Sequence, residues 1–458
     1  MMIVIMLPST RISMMIVMVI TILVATCCIP STATIIDLSK DLPEDTAAMK
    51  FSEGAKAMEQ AATAEPNIRA AIVMEKGKIV SSYYREDVNP SDSSPVFSAT
   101  KSWMGLLIGL LVDDGLLSVH QTLGEIFTED EAWTDVTDGI EDFRKNVTIK
   151  EMLTMTSGLT TALVPALMSI YLGTNVGGSS LSDSLAYPDI GEKGEFAYLS
   201  ISNILSYVIL KLSGKTPGEL LAERVMPHLG IQVDDYAWTK NSDGLENAFV
   251  GMEVTPKMMV KFGQLYMQKG LAGPYEEQRV VSQAWVENSF TRHAYAAFSL
   301  ERLAEIPPIF GTTETDVYYG YLFWGHPSKP NVFCSSGLIG NDMCIDPDNK
   351  RVVLQQTDFH FGMSDISGVI NGIPMKLVHI GLNETLSFSA PNPNIEDSAS
   401  HAHEVIGEEM EFPKSAVNAL KSEELSNSGV MHVSFGYHLC LWFIFSAELL
   451  FTTIMFMI

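Results

Sequence analysis

Two sets of strand-like runs lie at opposite ends of the central body of the chain. Near the start, AAIVMEKGKIVSSYY (Ala70 to Tyr84) holds two β-rich runs around Glu-Lys-Gly-Lys, a hairpin signature. Late in the chain come YYGYLFWG (Tyr318 to Gly325), NVFCSS (Asn331 to Ser336), DMCIDP (Asp342 to Pro347) and RVVLQQT (Arg351 to Thr357). Asp346-Pro-Asp-Asn turns between the last two. Between these blocks the apolar positions fall at helical spacing in WMGLLIGLLVDDG, TIKEMLTMTSG, LSYVILKLSG and PKMMVKFGQLYMQKG, each ending in glycine, the usual left-handed stop. A helical middle between two groups of strands predicts an α+β domain, an antiparallel sheet with helices in which the domain's two ends meet in one sheet.

Two further apolar stretches lie outside that body. MMIVMVITILVA (Met14 to Ala25) follows Arg11 and precedes small and polar residues, so residues 1–30 read as a secretory signal peptide, with an uncleaved signal anchor as the rival. LCLWFIFSAELLFTTIMFMI (Leu439 to Ile458) is about long enough to cross a bilayer, and small residues (Ser426 to Gly429) and a spacer precede it. Residues 432–458 therefore read as a GPI-attachment signal or a retained tail anchor, although Glu448 suits neither. Residues 389–431 are acidic and lack periodic apolar positions, as in a linker or stalk. The domain proper is expected over 41–388.

Composition narrows the setting. The 458 residues carry a formal net charge of −26, which argues against a nucleic-acid partner. Of five cysteines, Cys334 and Cys344 lie in the body and flank a glycine-containing turn. They could form a cross-hairpin disulfide in an oxidising compartment or remain two buried thiols. The sequons at Asn146 and Asn383 fit a secreted route, Asn383 being the better glycosylation candidate because Asn146 abuts a helix. Localisation in the secretory pathway, membrane-associated or extracellular, is the expectation, with the C-terminal segment as the membrane contact.

The chain contains no HExxH, CxxC pair, P-loop or GxSxG elbow. It does contain Ser98-Ala-Thr-Lys101 at the opening of an apolar helix. Residues i and i+3 stack on one helix face, and a serine at a helix start meets free N–H groups. A lysine backed by Trp103, Met104, Leu106 and Leu107 would be desolvated, and a desolvated amine becomes a neutral base able to take a serine proton. Alone, the four letters read equally as an N-capping serine beside a solvated lysine.

The surrounding segments carry a resemblance. FSATKSWMGLLIGLLVDDGLLSVHQTLGEIF, then VTIKEMLTMTSGL (Val147 to Leu159), then GEFAYLSISNILSYVILKLSGKTPGELLAERVMPHLGI (Gly194 to Ile231) follow in order. Together they resemble the serine β-lactamase-related family, nearest the branch of 6-aminohexanoate-dimer hydrolase and esterases, from about Asp41 to Leu386. The resemblance implies a β-lactamase/transpeptidase-like fold, with an antiparallel sheet flanked by helices, an all-helical subdomain, and the site between them. It implies Ser98 as nucleophile, Lys101 as base, Tyr198 as proton relay and Ser200 at the position where many members have asparagine. Tyr171 and Tyr187, in the helical insertion, would be substrate contacts. No metal and no organic cofactor are implied.

The family's third motif, Lys-Thr-Gly or His-x-Gly, aligns with Val332-Phe333-Cys334, followed by Ser335. The backbone N–H groups of Ser98 and Ser335 would then form the oxyanion hole. Without the cation there is no anchor for a substrate carboxylate. The reading is a serine hydrolase acting through an acyl-enzyme on a small-molecule or peptide-like ester or amide. The alternatives are a catalytically silent binding or scaffold module and, less favoured, a true β-lactamase or D,D-peptidase.

Overall fold

The computed structural model describes residues 35–128, 143–159, 181, 193–198, 203–241, 243–296, 317–326, 329–337, 340–358 and 382. The segments 1–30, 389–431 and 432–458 lie outside these residues, as do Tyr171, Tyr187, Ser200 and Asn383. No helix among the described residues is long and apolar enough to cross a membrane.

The strands are β1 (Ile68–Glu75), β2 (Lys78–Tyr84), β3 (Ser94–Pro95), β4 (Ala237–Trp238), β5 (Met252–Val254), β6 (Ala294–Ala296), β7 (Val317–Tyr319), β8 (Trp324–Gly325), β9 (Phe333–Gly337), β10 (Asn341–Asp346) and β11 (Arg351–Thr357). The principal sheet is antiparallel, in the order β2-β1-β11-β10-β9-β8-β7-β6, and a small second sheet runs β3-β5-β4. Because β1 pairs with β11, Ile72 opposite Leu354, the two ends of the domain meet in one sheet as the apolar pattern predicts.

The helices are α1 (Glu53–Ala64), α2 (Thr100–Asp113), α3 (Leu123–Ile126), α4 (Ile149–Leu153), α5 (Ile204–Ser213), α6 (Pro217–Arg224), α7 (Pro256–Met267) and α8 (Gln283–Ser289). Their starts are chemically marked. Thr148 with Glu151, and Thr216 with Glu219, form capping boxes at α4 and α6, while Thr255 caps α7 ahead of Pro256. Alternate residues of the sheet face different helices. Met343 and Val352 pack against Gly263 of α7. On the opposite face Ser81 of β2 donates to Glu59 of α1 at 2.8 Å. Every residue of α2 from Thr100 to Leu111 is buried, and Trp103 stacks on Phe262 of α7 at 4.1 Å between ring centroids. The helix that carries Lys101 is thus a core element.

One expected strand is broken. The run from Tyr318 to Gly325 is not continuous. It forms β7, a reversal and β8, with Tyr319 opposite Trp324. Leu322 takes φ +59° and the Gly320 N–H donates to the Phe323 carbonyl at 2.8 Å. Gly320 is pressed on the Ser289 carbonyl so closely that a Cβ would lie 2.0 Å from that oxygen. Aromatic residues give this run its strand-like composition, but close backbone approach makes the turn.

Candidate active site

Ser98 does not open the helix itself. It lies in a short 3-10 turn, Phe97–Ala99, and α2 begins two residues later at Thr100. The residue before the serine, Phe97, has φ +48°, a left-handed conformation that costs a bulky side chain on the order of 1–3 kcal/mol. Its surroundings hold it there. The Val96 N–H donates to the Met252 carbonyl at 3.0 Å, and the Ala99 N–H to the Val96 carbonyl at 3.1 Å. The Val96 carbonyl in turn rests on Gly337, where any Cβ would come within 2.1 Å of it. Ser98 is part-exposed at this strained bend.

Lys101 is 1% exposed. Its Nζ lies 2.9 Å from Ser98 Oγ and donates to the Phe249 carbonyl, also at 2.9 Å. Burial lowers its pKa from 10.5 to about 7, with no carboxylate partner among the described residues, so at neutral pH a large fraction is free amine. The Tyr198 ring faces the same nitrogen at 5.0 Å and the Phe249 ring at 5.7 Å. Tyr198 itself keeps part of its surface open. Burial around its hydroxyl nonetheless raises its pKa to about 12, with hydrogen bonding to Ser98 and Trp324 pulling the other way. The two groups are therefore pushed apart, an amine poised as base and a phenol held as proton donor. The Tyr198 loop is tied down where the Ala197 N–H donates to the Met155 carbonyl at 2.8 Å, and Trp324 forms a wall beside the ring at 5.0 Å.

The third motif needs correcting by one residue. The His326 N–H donates to the Val332 carbonyl at 2.9 Å, so the peptide groups of Val332 point to the β8 side. Alternation along an antiparallel strand then turns those of Phe333 and Ser335 toward β10 and those of Cys334 and Ser336 toward β8. Cys334 and Cys344 are directly opposite and disulfide-bonded, and their 4.1 Å Cα separation marks a non-hydrogen-bonded pair, which gives the same parity. Ser335 N–H thus faces β10 and cannot serve an oxyanion. The side chain of Ser335 donates instead to the Ala99 carbonyl at 3.2 Å. β8 begins only at Trp324, opposite Cys334, so Ser336 lies past the paired stretch with its N–H turned to that open side. Because Val96 abuts Gly337 and Ala99 abuts Ser335, Ser98 runs alongside Ser336. In this frame Phe333, stacked on Phe290 at 5.0 Å, stands where the motif carries its cation.

The Beta-lactamase family model matches residues 56–357 of this chain, well over half of its length. The chain belongs to the Beta-lactamase family. The 6-aminohexanoate-dimer hydrolase of Paenarthrobacter ureafaciens, to which it is similar, is 21% identical over 296 residues, covering 62% of this chain and 71% of that protein. Among solved structures, the octameric penicillin-binding protein homologue from Pyrococcus abyssi superposes with a TM-score of 0.52 at 18% identity, covering 72% of this chain and 77% of its own. Unliganded simvastatin synthase from Aspergillus terreus gives 0.51 at 13%, covering 75% and 100%. At these identities the structural likeness concerns the β-lactamase/transpeptidase-like fold.

Within that Beta-lactamase fold, the structure brings Ser98, Lys101 and Tyr198 together. Asn146 is exposed, at the end of a 3-10 turn, and its carbonyl accepts from Lys193 at 2.7 Å. Two features escaped the sequence. Trp324 is half of the aromatic wall, but it sits in the run that reads as one strand. Asp342 of β10, opposite Ser336, is 1% exposed, and desolvation raises its pKa from 3.8 to about 7. Hydrogen bonding from Ser336 and from the Gly337 backbone pulls the other way without cancelling the burial. An aspartate inside DMCIDP gives no signal that it is buried.

Proposed function

We propose that this protein is a serine hydrolase that cleaves carboxylic esters or amides through an acyl-enzyme. The observation that carries the reading is the 2.9 Å contact between Ser98 Oγ and a fully buried amine whose pKa has fallen to about 7. Lys101 takes the Ser98 proton as Oγ bonds to the substrate carbonyl carbon. The carbonyl oxygen becomes an oxyanion, held by the N–H groups of Ser98 and Ser336. Collapse breaks the bond to the alcohol or amine, which leaves with the proton relayed from Lys101 through the Tyr198 hydroxyl. Water then attacks the acyl-Ser98 ester, giving its proton back along the same route and releasing the acid.

A neutral acyl portion fits best, because Phe333 offers a substrate carboxylate no ion pair. The relatives named 6-aminohexanoate-dimer hydrolase and simvastatin synthase are compatible with an ester or amide substrate. The disulfide suits an oxidising compartment. With the apolar stretches at both ends, it supports a domain over 41–388 on the secretory route, associated with a membrane or released.

The test is labelling with a fluorophosphonate probe, wild type beside Ser98→Ala and Lys101→Ala. Labelling of the wild type alone, with all three proteins folded by circular dichroism, is the expected result. A folded wild type that stays unlabelled would instead favour a silent binding module built on this fold.

A further inference from the structure

A neutral lysine acts as a base only if its lone pair faces the proton it removes. The amine of Lys101 can rotate about Cε–Nζ, and two groups set that rotation, Ser98 Oγ and the Phe249 carbonyl, each at 2.9 Å. Donating one N–H to Phe249 fixes the nitrogen so that the lone pair can be turned to Ser98. The position of the Phe249 carbonyl is therefore part of the base. Phe249 lies in the segment between β4 and β5, where the nearest backbone bonds run from the Asn247 N–H to the Thr239 carbonyl and from the Thr239 N–H to the Gly251 carbonyl, on either side of it.

A buried side chain adds a restraint on the residue next to Phe249. Asn203, 1% exposed at the N-cap of α5, accepts from the Ala248 N–H through Oδ1 at 3.0 Å. A backbone N–H can only donate, so the amide oxygen must face it and the NH2 must face away. That NH2 donates to Asn247 Oδ1 at 3.1 Å. Ser206, one turn further along α5, donates to the Glu246 carbonyl at 2.6 Å. Asn247 is held from its other side, where Trp238 Nε1 donates to its carbonyl at 2.9 Å and its own N–H donates to Thr239 at 3.0 Å. The contact on Ala248 is on the residue that precedes the carbonyl seen by Lys101.

We infer that Asn203, five residues after Tyr198 and outside the Tyr-x-Ser motif, is a positioning residue that aligns the base Lys101 through the Ala248–Phe249 backbone. The inference rests on the reading of Ser98 and Lys101 as nucleophile and base, and its test separates the two. The pKa of Lys101 is read by NMR titration of 13Cε-lysine in the full chain, its signal assigned by loss in Lys101→Met. The Phe249 carbonyl favours the ammonium form, so releasing it in Asn203→Ala moves the midpoint to lower pH. Asn247→Ala, which removes only the anchor of the Asn203 NH2, gives a smaller shift in the same direction and stands in should Asn203→Ala fail to fold. Ser206→Ala loosens the same segment two residues further from Phe249 and leaves the midpoint where it is. Fluorophosphonate labelling per folded molecule is expected to fall about tenfold in Asn203→Ala at its plateau, because misalignment of a reacting group is costly. A Lys101 midpoint unchanged in both asparagine variants overturns the inference, as does an equal shift in Ser206→Ala. An unlabelled wild type refutes the hydrolase reading, while the NMR midpoints still decide whether Asn203 governs Lys101.

Discussion

Replacing Lys101 by methionine should abolish labelling and, at low pH, stabilise the fold. Methionine fills nearly the same volume without a charge. The amine's fall from 10.5 to about 7 corresponds to a charge-burial cost of about 5 kcal/mol at roughly 1.4 kcal/mol per decade. The sign follows from proton counting. Above 10.5 the amine is neutral in both states and the cost vanishes. Between 10.5 and 7 the unfolded chain holds a proton that the folded one lacks, so wild-type stability declines as pH falls, and below about 7 the cost is constant. From pH 9 to pH 6 the wild type should lose about 3 kcal/mol relative to the variant. Against this, methionine leaves the Phe249 carbonyl without its donor, a pH-independent penalty of about 1–3 kcal/mol. The variant should therefore match the wild type near pH 9 and exceed it by roughly 2–4 kcal/mol at pH 6. Urea unfolding followed by tryptophan fluorescence at both pH values gives the double difference, in which all other titrating groups cancel. A stability difference that stays the same from pH 6 to pH 9 would refute a depressed lysine pKa, and with it the free-amine base.

Other consequences follow from the same site and its supporting strands. Asp342 has the opposite linkage. Its folded pKa is raised from 3.8 to about 7, so the wild type loses stability as pH climbs through that window. Asp342→Asn should raise the melting temperature at pH 8 and not at pH 4, and an equal effect at both would show that the carboxyl is not held neutral. Tyr198→Phe should slow acylation of an ester substrate by about 10²–10⁴-fold while leaving the pH midpoint near that of Lys101; wild-type turnover in that variant removes tyrosine from the relay. Cys334 and Cys344 are ten residues apart, and replacing both by alanine should cost about 3 kcal/mol of stability by loop entropy. Scanning calorimetry that shows no loss would mean the β9–β10 ladder needs no cross-link.

Much of this fold is legible because local chemistry and tertiary structure agree. The hairpin at Lys76-Gly77 shows in its turn residues, both of which take positive φ, and the helices stop where Gly115, Gly214 and Gly270 adopt left-handed angles. The burial of Lys101 follows from the apolar run around it. The frame of the third motif is not legible because ladder parity on β9 is set by pairing with His326 and Cys344, and no residue type in VFCSSG encodes it. The reversal at Leu322 hides for a similar reason: aromatic composition says strand, and only the Ser289 carbonyl pressing on Gly320 says turn. Asn203 is invisible from sequence because the peptide it holds lies 45 residues away.

These placements bear on what the cleft can accept. Near pH 7 the groups set around or beside Ser98 carry little net charge, with Lys101 half deprotonated, Tyr198 a neutral phenol and Asp342 poised between its two forms. Each reaches that state through desolvation, and among the described residues none has a charged partner that would hold it ionised. A substrate carboxylate entering this environment would lose its hydration without gaining an ion pair, because Phe333 is committed to stacking on Phe290. A chain of net charge −26 would also repel it on approach. A neutral ester or amide meets neither cost, and its carbonyl would gain charge only in the transition state, where the proposed mechanism places the Ser98 and Ser336 N–H groups. In the proposed mechanism the same low polarity that frees the lysine to act as a base would also select against charged substrates, so nucleophile activation and substrate preference would come from one physical cause.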